Sequence, residues 1–246
     1  MAAFVCSDLH GCLEFYDAVN SVIGPEDVVY FLGDAGDRGP QPWETIKKIL
    51  ENPQWIYLKG NHEDMLLKCL RYTVSGVMGR YDDYALLHQN GGSGTLHEAE
   101  VDPDLKEIFS KLNTLPLTAE YTNPDGVRYI MSHAGFTPWV GENNKIIYPS
   151  NEDLIWDREH FYDDWPEDEV LKNTVIIHGH TPTPYVARKY LTYEFKDVEL
   201  EPGLLRYCGN HKIDMDSGAV FTDYFSLLNL DTGDEYVFEA SEKEDN

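Results

Sequence analysis

The chain has 246 residues, of which 42% are hydrophobic and 13% aromatic, so it is long enough to bury one large core. Its formal net charge of -25, with 19 Lys and Arg against 44 Asp and Glu, argues against a sequence-independent nucleic-acid binder, because clusters of basic side chains hold phosphate backbones. Such an acidic chain would also repel phosphorylated ligands unless a local positive centre, such as a bound metal ion, were present.

The cysteines and the N-terminal segment indicate a cytoplasmic protein. None of the cysteines has the spacing of a metal site or the density of a disulfide scaffold, so we expect reduced thiols. Residues 1–7 lack the basic and long apolar regions of a signal peptide, and no later segment approaches the length of a membrane span. We expect one domain over residues 1–240, a polar tail over 241–246, and neither a nucleic-acid nor a membrane partner.

The first predicted strand, residues 2–6, runs into a turn that contains Asp8 and His10. A carboxylate and an imidazole two residues apart at a strand end suit a divalent transition metal. The other interpretation is a turn aspartate beside a surface histidine. Apolar residues at helical spacing then predict a helix over residues 13–22.

The second predicted strand, residues 28–32, ends in a glycine-rich turn that carries Asp34, Asp37 and Arg38. A turn at a strand end can aim side chains without covering them. A helix starting at Pro42 and a third strand over residues 55–58 follow. This strand also ends in polar residues, and a helix carrying apolar residues from 65 onwards comes after them.

Strand, helix, strand, helix and strand at this spacing predict parallel pairing with right-handed crossovers. All three polar turns then lie on one edge of the sheet, and their candidate ligands converge. These candidates are Asp8, His10, Asp34, Asp37, Asn61 and His62. Two later predicted strands, residues 127–131 and 174–177, also end close to candidate ligands, His133 and His180.

The remaining segments are less informative. The glycine-rich residues 91–94 lack the lysine of a P-loop and predict a plain loop, and residues 102–112 predict a helix. Two interpretations of Arg158 are equally consistent with the sequence: an arginine that binds phosphate, and a residue at the end of a buried helix. We predict antiparallel strands over 212–215, 220–230 and 236–238, and we regard His178 and His211 as structural or surface residues.

Five sequence blocks carry a resemblance to a known family. In order, they are SDLHG, GDAGDRG, GNHE, SHAG and HGHT. They resemble the signature blocks of the PPP-type metallophosphoesterases, which include Ser/Thr protein phosphatases and symmetrical dinucleoside tetraphosphatases. The segments HGHTP and LIWDRE are more similar to the bacterial branch. The resemblance implies an α/β four-layer fold, in which two mixed β-sheets pack face to face as a β-sandwich between α-helices.

The resemblance also implies a centre of two divalent metal ions. Asp8 and His10 would bind the first ion, Asp34 would bridge both, and Asn61, His133 and His180 would hold the second. Manganese is the expected metal, with iron and zinc as alternatives. A metal-bridged hydroxide would then attack phosphorus in line.

Four further residues receive roles from the same resemblance. His62, oriented by Asp37, would protonate the leaving oxygen. Arg38 and Arg158 would bind the phosphate. The chain departs from the family pattern at Gly36, which replaces an apolar residue and could loosen the hold on Asp37. It also carries Ser7 where a glycine is usual before Asp8; neither change removes a candidate ligand.

The motifs leave two enzyme hypotheses open. The leading one is a metal-dependent phosphoric monoester hydrolase of the Ser/Thr protein phosphatase type. The alternative is a symmetrical dinucleoside tetraphosphate hydrolase, which would release ADP and need a pocket for a second nucleotide. Aromatic residues that could stack on a base are Trp139, Tyr148, Trp156, Tyr162 and Trp165. A catalytically silent binding module would be expected to lack a candidate ligand or the His62–Asp37 pair. This sequence contains all of the candidate ligands and the pair.

Overall fold

A computed structural model describes residues 1–193, 195 and 201–241. Two five-stranded sheets lie at its centre, and helices and connecting segments cover their outer faces. Of the predicted polar tail, Ser241 is described, and residues 242–246 lie outside the described part of the chain. A single domain over residues 1–240 stays a prediction.

The strands of the described residues are all short, with six residues at most. In chain order they are β1 (Ala3–Cys6), β2 (Val28–Phe31), β3 (Trp55–Tyr57), β4 (Thr118–Thr122), β5 (Arg128–Ser132), β6 (Trp139–Val140), β7 (Ile146–Ile147), β8 (Thr174–His178), β9 (Leu205–Tyr207), β10 (Lys212–Asp214), β11 (Tyr224–Asn229) and β12 (Glu235–Glu239). The two-residue strands β6 and β7 form a separate small hairpin.

The helices are mostly short and amphipathic. In chain order they are α1 (Leu13–Val22), α2 (Pro42–Glu51), α3 (Asn61–Ser75), α4 (Tyr81–Gln89), α5 (Ser93–Val101), α6 (Leu105–Asn113), α7 (Asp153–Trp156), α8 (Thr183–Lys189) and α9 (Ala219–Thr222). Short 3-10 turns occupy Glu142–Asn144, Glu159–Tyr162 and Glu169–Leu171. None of the helices in the described ranges combines the length and apolar character that a membrane crossing requires.

The first sheet has the strand order β12-β11-β1-β2-β3. Strands β1, β2 and β3 are parallel, with Cys6 opposite Phe31 and Phe31 opposite Tyr57. Because their carboxyl ends are level, the three polar turns leave the same edge of the sheet. This confirms the predicted parallel arrangement.

The second sheet has the order β4-β5-β8-β10-β9. Its central strands β5, β8 and β10 are parallel, and β4 and β9 pair antiparallel at its edges. Residues 212–215 were predicted to form an antiparallel strand. Strand β10 is antiparallel to β9 but parallel to β8, so the prediction is wrong for the pairing with β8. Helix α8 lies in the crossover connection that a parallel pair needs. The loops that follow β5 and β8 carry His133 and His180.

Several predicted boundaries are also wrong. Residues 220–222 belong to α9, because Gly218 and Asp223 adopt left-handed conformations at its two ends, with φ values of 75° and 60°. Helix α3 begins at Asn61, because the Glu63 carboxylate accepts the N–H of Gly60 and caps the helix (2.8 Å). Residues 93 and 94 of the predicted loop are the first two residues of α5.

The two sheets pack face to face over an apolar layer. Its buried members are Ala3, Val5, Leu32, Leu58, Met131, Ile177, Ile213, Met215, Leu228 and Leu230. A larger cluster lies between the first sheet and helices α1 to α6, and a smaller one covers the outer face of the second sheet. This is the predicted fold class of two mixed sheets flanked by helices, and it brings the carboxyl ends of the parallel strands of both sheets to one edge.

Gly33, two residues after the end of β2, lies against Gly60, which follows β3. Its φ is 103°, and a Cβ atom there would lie 2.6 Å from the backbone nitrogen of Gly60. A side chain at this position would be strained by conformation and would also push the turns after β2 and β3 apart.

Replacing Gly33 with Ala is therefore expected to destabilise the protein by about 2 kcal/mol or more in urea unfolding. Gly126→Ala is the matched control, because Gly126 also has a positive φ (81°) but has no atom within 4 Å of the added Cβ. The control isolates the conformational cost. Equal losses for the two variants would contradict a steric role for the close approach at Gly33.

Candidate metal centre

Backbone hydrogen bonds continue beyond β1 and β2 and join the turns that follow them. The N–H of Asp8 donates to the Gly33 carbonyl (3.1 Å), and the N–H of His10 donates to the Asp34 carbonyl (3.0 Å). Asp8, His10 and Asp34 all have positive φ values of 57°, 43° and 59°. Non-glycine residues in this region are uncommon, and their clustering is typical of functional sites.

The first candidate ligand group surrounds His10. Its Nδ1 donates to the Gly36 carbonyl (2.9 Å), so Nε2 carries the lone pair. This Nε2 lies 3.9 Å from Asp8 Oδ1 and 3.7 Å from Asp34 Oδ2. His62 Nε2 lies 3.8 Å from the same Asp34 oxygen. Ligand atoms of His10, Asp34 and His62 all lie within 4.8 Å of one another.

The second candidate group surrounds His133. Its Nδ1 donates to the Leu32 carbonyl (2.8 Å), which again leaves the lone pair on Nε2. This atom lies 3.3 Å from Asp34 Oδ2, 2.9 Å from Asn61 Oδ1 and 3.2 Å from His180 Nδ1. The structure thus brings together all six residues predicted as metal ligands, with Asp34 shared by both groups.

The donor set fits two divalent cations. The converging atoms are carboxylate, amide and imidazole acceptors, which repel one another unless a positive charge lies among them. Among the described residues, Asp8 Oδ1 is buried without a hydrogen-bond partner, as expected of an atom reserved for another ligand. Whether each residue takes its assigned metal stays a prediction.

Burial and mutual repulsion dominate the electrostatics of the acidic residues. Burial, reinforced by the charge of Asp216, raises the pKa of Asp8 well above its usual range. Burial likewise raises the pKa of Asp216 to about 6. Burial would also raise the pKa of Asp34, but the charges of His133 and His62 hold it well below its usual value. Of these three carboxylates, Asp34 is the one whose charged form is favoured.

His62 is held by a hydrogen bond to the carboxylate of Asp37. Its Nδ1 donates to Asp37 Oδ2 (2.5 Å), which turns Nε2 towards the ligand groups. Burial alone would lower the pKa of His62, but the charge of Asp34 and the hydrogen bond to Asp37 outweigh it and raise that pKa. Arg38 donates from Nη2 to His62 Nε2 (2.9 Å) and from Nη1 to His10 Nε2 (2.7 Å). Arg38 thus lies between the two imidazoles.

Asp37 is not loosely held, despite the glycine that precedes it. Its backbone N–H donates to Thr95 Oγ1 (3.1 Å), and the same hydroxyl donates back to Asp37 Oδ1. A Cβ on Gly36 would lie 2.7 Å from Ile46 Cδ1, so a larger residue here would require the end of the Ile46 side chain to move. The expectation that Gly36 loosens Asp37 is wrong, because Thr95 of α5 provides the support.

Arg158 lies beside the second ligand group. Its Nε donates to Thr181 Oγ1 (3.1 Å), one residue after His180. The indole ring of Trp156 meets the His180 ring edge-on, with centroids 6.0 Å apart. The phosphate-binding role of Arg158 stays a prediction.

Sequence reasoning missed three buried carboxylates near the centre, Glu63, Asp214 and Asp216, each at most 3% exposed. Glu63 is the last residue of the GNHE block, and the two aspartates lie in IDMDSGAV, so both motifs were visible. Their roles depend on contacts that the motifs do not reveal. Asp214 pairs in register with His178 across β10 and β8, and its buried Oδ2 has no hydrogen-bond partner among the residues that the structure describes.

Ser7 also contributes directly. Its hydroxyl donates to Asp8 Oδ2, and the backbone N–H of His180 donates to the same oxygen (3.0 Å). Both bonds leave Asp8 Oδ1 facing the ligand group. The serine that departs from the family pattern therefore orients a candidate ligand.

A buried hydrogen-bond chain supports the loop that carries His180. His178 Nδ1 donates to the Gly179 carbonyl (3.0 Å), so its Nε2 accepts from the Tyr207 hydroxyl (2.7 Å). His160 Nδ1 approaches the same hydroxyl at 3.3 Å. Burial lowers the pKa of His178 to about 3, which agrees with a neutral ring. His178 is structural, as the sequence suggested.

The comparisons with known proteins agree with this geometry. Residues 1–217 match the family model described as calcineurin-like phosphoesterase. The chain therefore belongs to the calcineurin-like phosphoesterase family. A centre of two metal ions is characteristic of this family, and the two candidate ligand groups are consistent with it.

Two relatives are dinucleoside tetraphosphatases. The chain is 30% identical to the symmetrical bis(5′-nucleosyl)-tetraphosphatase of Aromatoleum aromaticum over 60% of its own length and 49% of that protein, so the match spans about half of that relative. It is 24% identical to an asymmetrical bis(5′-nucleosyl)-tetraphosphatase of Bacillus cereus over 91% of this chain and 88% of that one. The crystal structure of a putative diadenosine tetraphosphatase has a similar fold (TM-score 0.60, 16% identity, 98% and 94% coverage).

Asp34→Asn is expected to abolish tight manganese binding and metal-dependent turnover. The substitution keeps the shape of the side chain and the acceptor for the His62 N–H, but removes the charge shared by the two ligand groups. We would measure manganese affinity by isothermal titration calorimetry and expect a loss of about 100-fold or more. Asp37→Asn is the matched control and should retain metal binding, because Asp37 faces His62. Wild-type manganese affinity in Asp34→Asn would rule out the bridging role.

Tyr207→Phe is expected to lower the free energy of unfolding by about 1–3 kcal/mol, because a buried imidazole nitrogen loses its donor. Urea unfolding measures this loss. Tyr224→Phe removes a hydroxyl that donates to Glu239 at the surface (3.2 Å) and should cost far less. Equal stability of the two variants would show that the His178 chain contributes little.

Proposed function

We propose that this calcineurin-like phosphoesterase hydrolyses dinucleoside tetraphosphates with the help of two divalent metal ions. The observation that carries the metal-dependent chemistry is the sharing of Asp34 by two buried ligand groups. The choice of substrate is supported by the relatives, which are named as tetraphosphatases of this kind. The sequence analysis placed a protein phosphatase first, and that activity is the second candidate.

Metal ions at these two groups would neutralise charge on the phosphoryl oxygens and activate a water molecule as nucleophile. Asp8 and His10 on one side, and Asn61, His133 and His180 on the other, are the residues that we assign to hold them. Asp34 would lie between them. The loops after β1, β2 and β3 come from one sheet and those after β5 and β8 from the other, so the proposed centre spans the edge between the sheets.

The proposed roles of the remaining residues follow from their hydrogen bonds. His62 presents Nε2 towards the centre, and the Asp37 carboxylate fixes its ring, so we assign His62 as the group that donates a proton to the leaving oxygen. Arg38 offers two parallel N–H donors, a geometry that matches two oxygens of one phosphate.

The acidic character of the chain is compatible with this substrate. At a net charge of -25, long-range attraction of a polyphosphate is unfavourable, and binding then relies on local positive charge. Arg38 and the metal ions would supply that charge within a few ångströms of the reacting phosphorus. The same argument holds for a phosphoserine side chain, so charge does not separate the two candidates.

The deciding experiment compares substrates in parallel. Metal-stripped protein resupplied with Mn²⁺ is expected to cleave diadenosine tetraphosphate faster than any member of a phosphopeptide panel, with nucleotide products separated by ion-exchange chromatography. Two molecules of ADP would indicate symmetrical cleavage, and ATP with AMP asymmetrical cleavage.

Asp34→Asn protein purified in the same way controls for contaminating phosphatases. Fast phosphopeptide turnover with an inert dinucleotide would overturn the proposed substrate and establish the protein phosphatase. Turnover that persists in Asp34→Asn would come from a contaminant or from a site other than the one proposed.

A further inference from the structure

A cavity of about 320 Å³ lies beside the metal centre, on the side of Arg38. Its walls include Arg38, Phe15, Val220, Glu14 and Asp223. We propose that it binds the nucleoside of the leaving nucleotide, a proposal that rests on the dinucleotide substrate proposed above. The cavity has the size typical of small-molecule sites, which is roughly 300–1,000 Å³.

The cavity and the metal centre share a wall. Cys12, which lines the cavity, follows His10 by two residues in the turn after β1. Gly39, another lining residue, donates its N–H to the His10 carbonyl (2.9 Å). Arg38 borders both places, because it lines the cavity and donates to the imidazoles of His10 and His62.

The position of Arg38 is the reason why we assign the cavity to the leaving part of the substrate. Its Nη2 donates to Nε2 of His62, the residue assigned to protonate the leaving oxygen. The group beyond that oxygen must therefore extend past His62 and Arg38. In a dinucleoside tetraphosphate, that group is a nucleotide, with its phosphates nearest to Arg38 and its nucleoside farther away.

The chemistry of the walls matches a nucleoside. Val220 and Ala240, which line the cavity and are partly exposed, offer apolar surface to a base, whose faces are flat and weakly hydrated. Glu14 and Asp223 offer carboxylates, which accept hydrogen bonds from ribose hydroxyls as acidic residues do in dinucleotide-binding folds. The same carboxylates repel phosphates and so favour an orientation with the phosphates at Arg38. A phosphoseryl peptide has no equivalent group rich in hydroxyl donors.

The wall that carries Asp223 is fixed by its neighbours. Asp223 has a φ of 60° at the end of α9, and its carbonyl accepts the N–H of Ala240 (2.8 Å). The hydroxyl of Thr222, the preceding residue, donates to the Ser217 carbonyl (2.9 Å). The cavity is thus formed before any ligand arrives, which lowers the cost of binding.

Val220→Trp tests the proposal by filling the cavity. We expect the ratio of kcat/KM for diadenosine tetraphosphate to kcat/KM for p-nitrophenyl phosphate to fall at least about tenfold, mainly through KM. Val237→Trp is the matched control, because Val237 lies 46% exposed on β12 and does not line the cavity. A wild-type ratio in Val220→Trp, with active wild-type enzyme, would overturn the proposal and leave the proposed function intact.

Asp223→Gly provides a second test that needs no added bulk, because glycine tolerates the positive φ and removes the acceptor for the ribose hydroxyls. Wild-type protein is expected to prefer diadenosine tetraphosphate over its 2′,3′-dideoxy analogue, and the variant should lose most of that preference. An equal preference in both proteins would contradict recognition of the ribose by Asp223. If the wild-type protein cleaves phosphopeptides and no dinucleotide, the proposed function fails and this proposal fails with it.

Discussion

The arrangement of the centre depends on the hydrogen bonds that the carboxylate of Glu63 accepts. It accepts the backbone N–H groups of Asp34 and Ala35 (2.9 Å each) and of Gly60 (2.8 Å), as well as the Tyr57 hydroxyl (2.7 Å). These donors come from the ends of β2 and β3, so one side chain fixes the separation of two turns. Since Glu63 is also the third residue of α3, the same bonds start the helix at Asn61 and place Asn61 and His62 in its first turn.

Negative charge is the second constraint. In the described part of the chain, the ion pairs of Asp8 and Asp34 are with histidines, and burial disfavours the charged form of Asp8. Lys212 is buried in the second sheet, but its ammonium donates to Thr137 Oγ1 (2.8 Å) and the His160 carbonyl (2.6 Å). Arg38 donates to the imidazoles of His10 and His62 beside Asp34, but a single guanidinium does not balance such a group of buried acids, which is costly without further positive charge. Divalent cations would supply that charge and satisfy the unpartnered oxygen of Asp8.

The sequence was enough to predict which residues meet, because ligand-type side chains after successive parallel strands must lie at one edge. It was not enough to predict how they are held. Thr95 supports Asp37 from a helix 58 residues away, and no local pattern links the two. Asp214 was missed for the same reason, since its place depends on the pairing of β10 with β8. The composition of residues 220–222 predicts a strand. In the structure they belong to α9, because the residues on either side of this helix, Gly218 and Asp223, adopt left-handed conformations.

The two histidines of the HGH segment show why residue type alone does not identify a ligand. A backbone carbonyl fixes the tautomer of His10, His133 and His178 in the same way, because each ring donates from Nδ1 and keeps its lone pair on Nε2. The difference lies in what that lone pair faces. In His178 it accepts the Tyr207 hydroxyl and is fully used, whereas in His133 it faces an aspartate, an amide oxygen and another imidazole. A nitrogen surrounded by acceptors needs a cation, and a nitrogen beside a hydroxyl does not. The same difference separates the structural His178 from His180 two residues later, whose Nδ1 lies 3.0 Å from Asn61 Oδ1 and 3.2 Å from His133 Nε2.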